Sequence, residues 1–432
     1  MKHERLKFII TTISGNVMEW YDFALYGYFA TVIAKLFFPS QDIGFSLLMT
    51  FGAFASGFIA RPIGGVIFGH IGDRYGRRVS LLISISLIVV PTALIGFLPS
   101  YASIGIAAPI LLTVLRILQG IAVSGELTGS GIFLMECAPE GRRGFYGSLV
   151  MCSTYLGLLI GAAVSLLISL FYSDTEILNF AWRIPFLISF VFGLCAILSR
   201  LKCRESPVFK AIALANNIIK MPVVHACKQY LPAMVCISLT SSLLAVAIYL
   251  LIGYFPSYFI MNLKMTIHQA MAISFGGLLI LTLCVPIMGR LVDREGAYKI
   301  FSIGTGCFLL SAPVIFELLT REGINSAVAC VALTSSLLSL VAAAILPIIA
   351  SVFPANVRCS GVSIGYNFSM SLFGGTTPLI AMMSCQYMGV DTAPTMYLAL
   401  AAVVSLLGLY FLSRTTNQKT ASFHLERFEM ER

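Results

Sequence analysis

Long apolar runs, divided by short breaks rich in charge, glycine or proline, fill almost the whole chain. A membrane-crossing helix needs roughly 20 mainly apolar residues. Runs of that order occur at 8–38, 46–69, 79–98, 103–133, 144–171 and 181–200, and again at 229–260, 268–289, 299–319, 325–352, 361–388 and 393–413. The pattern predicts an all-α membrane protein with twelve transmembrane helices in two six-helix bundles. Several runs exceed the minimum, which calls for tilt or for helices that project past the bilayer. The longest polar interruption, 201–228, falls mid-chain. The predicted organisation is therefore a bundle over 1–200, a central loop over 201–228, a second bundle over 229–413 and a tail over 414–432. The tail ends H-L-E-R-F-E-M-E-R, which suits a short surface helix and is too short for a stable coiled coil.

Composition agrees, with 58% of 432 residues hydrophobic and 11% charged, where soluble domains carry about a quarter charged residues. A net charge of +9 invites a nucleic-acid reading, but the basic residues sit in small clusters between apolar runs, such as Arg74, Arg77 and Arg78, or Arg200, Lys202 and Arg204. That placement marks membrane orientation and not a phosphate-tracking surface. With both termini inside, roughly 22 of the 28 Lys and Arg fall on the inner side, so both ends are predicted to be cytoplasmic in a multi-pass bacterial inner-membrane protein. The first residues, with Lys2, Arg5 and Lys7, lead into a long run and not a cleavable signal. Eleven cysteines are scattered without a C-x-x-C pair and His is sparse, so no metal site, disulfide framework or cofactor is expected. No nucleophile arrangement or His/Cys/Asp cluster points to an enzyme.

Two loops repeat at a half-chain offset. G-H-I-G-D-R-Y-G-R-R at 69–78 and G-R-L-V-D-R-E-G-A-Y-K at 289–299 share G-x-x-x-D-R-x-G after the second run of each half. E-C-A-P-E-G-R-R-G at 136–144 has a weaker counterpart, F-P-A-N-V-R-C-S-G at 353–361. Such repetition is an architectural signature of transporters. The glycines allow helix ends to approach and turn tightly, and Asp73 can pair with cations from neighbouring helices.

Charges inside the runs are costly at about 2.5–3.5 kcal/mol each unless paired or hydrated. Asp22 in the first run and Arg116 in the fourth lie about three residues apart in depth, or roughly 4.5 Å, and can meet if the two runs face each other. A buried carboxylate opposed by an arginine suits a group that binds and releases a proton, so Asp22 is the candidate proton carrier and Arg116 its partner. The alternative is a purely structural buried pair. Glu19, Asp22 and Tyr26 share one face of the first run; Arg116, Gln119, Val123, Glu126 and Ser130 share one face of the fourth. Glu19 and Glu126 are expected nearer the inner side, where they share or compete for protons, with helix packing as the alternative role for Glu126. Arg61, before Pro62, either reaches the interface or joins a gate. Tyr26 and Gln119, with Tyr249, Tyr254, Tyr366 and Asn367 of the second half, are candidates to line a cavity that holds a zwitterion or quaternary ammonium.

Further stretches narrow the family: G-N-V-M-E-W-Y-D-F-A-L-Y-G (15–27), R-P-I-G-G-V-I-F-G (61–69), R-I-L-Q-G-I-A-V-S-G-E-L-T-G (116–129), W-R-I-P-F (182–186), R-E-S-P-V-F (204–209), R-C-S-G-V-S-I-G-Y-N (358–367) and F-G-G-T-T-P (373–378). With the 69–78 loop they make the chain resemble the major facilitator superfamily, its metabolite:proton symporter family, and most of all the proline/betaine transporter group. The resemblance implies runs one and four face to face, alternating access about a central cavity, and uptake of a small organic solute with a proton by a monomer surrounded by lipid. It also implies a cytoplasmic gate of Gly69, Gly72, Asp73, Arg74, Gly76, Arg77, Arg78, Asp293, Arg294, Arg142 and Arg358, latched in the outward-open state. The chain departs from the pattern at Ser124, where a glycine is usual, and at Ser351, where an acid is common. The second departure puts the completeness of the second-half gate in doubt. Run five lacks the G-P pair of drug:proton antiporters, so symport is preferred. A dicarboxylate or tricarboxylate symporter, which would want more cavity cations than Arg116, and a non-transporting sensor on the same fold remain the alternatives.

Overall fold

The computed structural model describes residues 2–321, 323–388 and 394–430. Every regular element among the described residues is helical. Twelve long units run in chain order: α1 (Lys2–Tyr28, resuming as Ala30–Phe37), α2 (Ile43–Arg74), α3 (Arg77–Phe97), α4 (Ala107–Glu136), α5 (Arg143–Phe171) and α6 (Arg183–Leu201) in the first half. In the second they are α7 (Pro222–Thr240, resuming as Ser242–Met261), α8 (Ile267–Glu295), α9 (Ala297–Thr320), α10 (Ile324–Ser351), α11 (Arg358–Ser369, then Thr377–Met388) and α12 (Pro394–Met430).

Ten of these are long and apolar enough to cross a membrane, the exceptions being α1 and α11. The reason is physical. α1 carries Glu19 and Asp22 in its middle, and α11 is interrupted by a wide π-turn at Met370–Gly374 that splits it into two pieces of twelve residues. A second π-turn, Leu250–Tyr254, widens α7. Such bulges bend helices and leave backbone groups to be satisfied locally.

The polar stretch 201–228 is not one continuous loop. Ser206 caps a short helix, Pro207–Leu214, through its hydroxyl on the Phe209 amide, and α7 begins at Pro222, seven residues before the expected 229. A proline with its φ fixed at a helical value starts a helix readily, which the charges of His225 and Lys228 obscure in the sequence pattern. At the other end α12 continues past 413 to Met430.

Adding six to a helix number converts the packing of one half into that of the other. α1 packs on α5 as α7 packs on α11; α2 on α4 as α8 on α10; α3 on α4 and α6 as α9 on α10 and α12. The halves meet chiefly along α2–α11 and α5–α8, which the same operation exchanges. In lipid such contacts depend on close approach, since there is little hydrophobic drive between helices. Glycine supplies the approach. A Cβ at Gly69 would fall 2.7 Å from Cα of Ser360, and one at Gly144 2.8 Å from the carbonyl oxygen of Gly289. The last glycine of each repeated motif makes the turn between helices, Gly76 at φ 112° and Gly296 at φ 93°, where a side chain would be strained.

Candidate functional site

Three layers of side chains fill the middle of the first half. Helical register places Glu19, Phe23 and Tyr26 one above another on α1, and Arg61, Phe58 and Phe54 correspondingly on α2, with steps of about 5 Å. In the layer farthest from the repeated loops, the Arg116 guanidinium lies 3.7 Å from the Tyr26 ring centroid and 5.8 Å from that of Phe54, while the two rings stack at 5.4 Å. The middle layer is aromatic. Phe23 sits 4.6 Å from Phe54, 5.7 Å from Phe58 and 6.2 Å from Tyr249. The layer nearest the repeated loops holds Glu19 and Arg61, the latter 5.9 Å from the Phe58 ring and 3.4 Å from Asn367 through Nε.

Asp22 is buried beside this stack and is gripped by hydroxyls. Thr92 of α3 donates to Oδ2, and Ser189 of α6 donates to Oδ1 at 3.0 Å. The direct Asp22–Arg116 pair expected from register is not formed. Arg116 instead donates to Gln119 at 2.9 Å, and Gln119 donates to Thr92 at 2.6 Å, so the two charges communicate through an amide and a hydroxyl. The helix register is right and the inserted partners are what it leaves out.

Glu126 has a different fate from the one expected. Both carboxylate oxygens are bound by Arg200 of α6, with Ser84 donating at 2.8 Å and Arg200 also reaching the backbone of Thr12 and Leu81. This buried pair ties α1, α3, α4 and α6 together and leaves both Glu126 oxygens engaged by donors. Glu19 itself is 4% exposed, and neither of its oxygens has a hydrogen-bond partner. Arg116 Nε and Nη2, Arg61 Nη2 and the Tyr249 hydroxyl are likewise buried without partners.

A cavity of 40 Å³ opens here, lined among others by Glu19, Asp22, Phe58, Arg61, Arg116 and Gln119. Its walls come from α1 to α4, whereas the sequence suggested a cavity shared with second-half aromatics. Tyr249 only packs against its wall, 5.4 Å from Phe58, and Asn367 reaches it by bonding Arg61 and the carbonyls of Ser124 and Ser363. Tyr366 is buried on α11, and Tyr254 lies in the π-turn of α7 with its hydroxyl 3.1 Å from the Cys385 sulfur; neither lines the cavity. Tyr26 is closed over by Arg116 and donates to the Thr50 carbonyl at 2.9 Å. Among the described residues no group of three His, Cys, Asp or Glu side chains is arranged to hold a metal.

At the loop end, the two motif aspartates perform the same task on opposite halves. Asp73 accepts the amides of Cys359 and Ser360 at 3.0 and 2.7 Å, at the start of α11. Asp293 accepts those of Gly144 and Phe145 at 2.6 and 3.0 Å, at the start of α5. Each is an anion on the positive end of a helix dipole with free amides to satisfy. Gly69 and Gly72 clear the way for α11, and Arg77 brackets Asp73 at 3.5 Å.

Glu136, at the end of α4, draws the neighbouring arginines together. It binds Arg77 at 3.2 Å, Arg358 at 2.9 Å and Ser206 at 2.6 Å, while Arg77 reaches the Ala355 carbonyl across the halves. Glu205 accepts the amides of Arg77 and Arg78 and so caps α3, and Phe209 lies 5.2 Å beneath the Arg77 guanidinium. Arg78 donates to the Leu201 carbonyl and Arg74 to that of Lys220, whereas Arg142 and Arg294 face outward, exposed. On α10, the repeat-related helix, Ser351 bonds only back to Ile348, so this acid-centred cluster has no second-half copy among the described residues. Thr92, Ser189, Arg200, Glu136, Glu205, Ser206 and Phe209 were not singled out from the sequence. Only the R-E-S-P-V-F and E-C-A-P-E stretches held a signal for some of them.

These contacts find their relatives among membrane transporters. Residues 7–217 match the family model for "Sugar (and other) transporter". The chain is 32% identical over 430 residues to the proline/betaine transporter of Escherichia coli (strain K12), covering 96% of this chain and 85% of that one. It is 31% identical over 428 residues to the ectoine/proline transporter ProP of Corynebacterium glutamicum, covering 94% and 84%. In fold it is similar to the proton:xylose symporter XylE, with TM-score 0.79, 16% identity and 95% of both chains covered. The chain is a membrane transporter that belongs to the major facilitator superfamily, within the group that includes the proline/betaine transporters.

Proposed function

We propose that this transporter takes up a small zwitterionic solute, of the proline or glycine betaine kind, together with a proton that rides on Asp22. The observation that carries the reading is the bonding of Asp22, a carboxyl deep in the spanning region, held by Thr92 and Ser189 with no cation within ion-pair distance among the described residues. Proton counting favours the acid form. The Thr92 hydroxyl has one proton, yet it lies against both Asp22 and the Ile88 carbonyl, 2.8 Å away, while accepting from Gln119. If Asp22 carries the shared proton, it donates to Thr92, and Thr92 donates to Ile88, so every contact is satisfied at once. Deprotonation leaves an anion in the same cavity as the Arg116 guanidinium, two nitrogens of which are unpartnered and could turn to it. A protonated site and an ion-paired site are then two discrete arrangements of the kind a coupled cycle requires.

The clasps at Asp73 and Asp293 support a state closed at the loop end, and the basic residues of the loops support a cytoplasmic position for that end. In this state the cavity has room for about three waters, so admitting a solute needs the halves to rock and the Phe23–Phe58 layer to part. The names of the relatives support the solute class. An organic-acid symporter is the second reading, favoured by Arg61, a second cation lining the cavity. Glu19 in the same small space opposes it, since a dicarboxylate would add like charge beside a carboxylate that is already buried.

The test is Asp22→Asn in proteoliposomes loaded for uphill uptake and, separately, for solute exchange. Accumulation driven by a pH gradient should disappear while exchange persists. Undiminished, uncoupler-sensitive accumulation by the variant would remove Asp22 from the proton path.

A further inference from the structure

Buried polar atoms without partners are rare in folded proteins, and each needs a reason. Four of them converge in the layer nearest the repeated loops: both Glu19 oxygens, Arg61 Nη2 and the Tyr249 hydroxyl. Glu19 and Arg61 carry opposite charge, are 4% and 3% exposed and line the same cavity, yet they do not form an ion pair within 4 Å. Each is held apart by its surroundings. Arg61 is drawn toward Asn367 and the Phe58 face, and Gly15, one turn before Glu19, is wedged against Glu126 and Arg200, which fixes how α1 sits. The remaining charged neighbours of Glu19 are the engaged Glu126–Arg200 pair on other helices and Asp22 on its own.

We infer that Glu19 and Arg61 form the solute cradle, Glu19 taking the cationic nitrogen and Arg61 the carboxylate, one layer removed from the proton-carrying group. The inference rests on the zwitterion reading above and deepens it by naming the residues that select both charges. An ion and a counter-ion held just too far apart to pair leave a gap that a dipolar solute of two closely spaced charges completes. Charge pairing at both ends, hydrogen-bonded for a protonated amine and purely electrostatic for a quaternary ammonium, then offsets the desolvation of all four charges. Phe23, Phe58 and Tyr249 wall the cradle with aromatic surface, which tolerates either a ring or methyl groups on the nitrogen. Asp22 lines the same cavity one helical turn from Glu19, so the proton-carrying carboxyl and the solute cradle are adjacent but built from different side chains. Glu19 is accordingly a specificity-determining residue and not a second proton carrier.

Counterflow in proteoliposomes, which needs no proton gradient, separates these roles. The competitors are L-proline, tetrahydro-2-furoate (the same ring and carboxylate without a cationic nitrogen) and pyrrolidine (the nitrogen without the carboxylate). Wild-type protein should be inhibited by proline at concentrations at least about tenfold lower than by either fragment, because a site built for a charged group rejects the analogue that lacks it. Glu19→Gln should narrow the proline-to-furoate ratio by about tenfold, and Arg61→Gln the proline-to-pyrrolidine ratio, each leaving the other ratio near wild type. A general packing defect would weaken all three competitors alike. Equal competition by proline and furoate in the wild type, which requires no variant to fold, overturns the assignment, as do ratios unmoved in both variants. Absence of exchange for proline, glycine betaine and ectoine in the wild type would instead overturn the zwitterion reading itself.

Discussion

Replacing Asp293 by asparagine keeps its shape but removes its charge from the start of α5. The side chain accepts two amides, those of Gly144 and Phe145. Hydrogen bonds to a charged group contribute about 1.5–3 kcal/mol each and neutral ones about 0.5–1.5. The asparagine oxygen retains part of the pairing, and Asp293 is half-buried, which screens it. The loss is therefore about 2 kcal/mol of preference for the closed loop end, or about 30-fold in the closed-to-open ratio. Cys359 is a native reporter of the other clasp. It is 3% exposed, beneath the Asp73 contact and against Gly72, and its own surroundings are untouched by the substitution. In a background that keeps Cys359 as the sole thiol, maleimide labelling of detergent-solubilised protein should accelerate about tenfold or more in Asp293→Asn. Unchanged labelling of a folded variant would refute the view that the two clasps hold one common interface.

Two further outcomes follow from the geometry. Glu126→Gln strands Arg200 in the protein interior and should lower stability by about 3–5 kcal/mol, while Glu126→Gln with Arg200→Met recovers much of that loss; thermal unfolding of the purified variants measures both, and strictly additive losses would contradict the pairing. Gly289→Ala presses a methyl group into Ser148 and the Gly144 carbonyl and should reduce transport at least about tenfold, whereas Gly306→Ala, whose Cβ meets nothing within 4 Å, should transport as wild type.

Much of the architecture is legible in one dimension because bilayer thickness fixes helix length. The contacts of the two repeated loops are legible for a related reason: G-x-x-x-D-R-x-G specifies a close approach, an anion and a left-handed turn, three demands that few other residues meet. Partner choice is far less visible. Register aligns Asp22 with Arg116 in depth, but Thr92, Ser189 and Gln119 come between them, and a threonine in an apolar run gives no sign of what its hydroxyl touches. Arg200 reads as an orientation signal at the end of α6 and turns out to neutralise Glu126. Likewise Tyr254 falls in the π-turn of α7 and bonds Cys385 away from the cavity, and a π-turn has no sequence period of its own.

The stretch that joins the halves has mechanical weight. Glu205, Ser206 and Phe209 bind it to the first half, and the helix ending at Leu214 moves with that half. Only Ala215 to Met221 remain before α7, and the Lys220 carbonyl is itself held by Arg74. Seven extended residues reach at most about 24 Å. While those contacts hold, what reads as a generous tether of 201–228 is a short leash, which bounds how far the two halves can swing apart at that end.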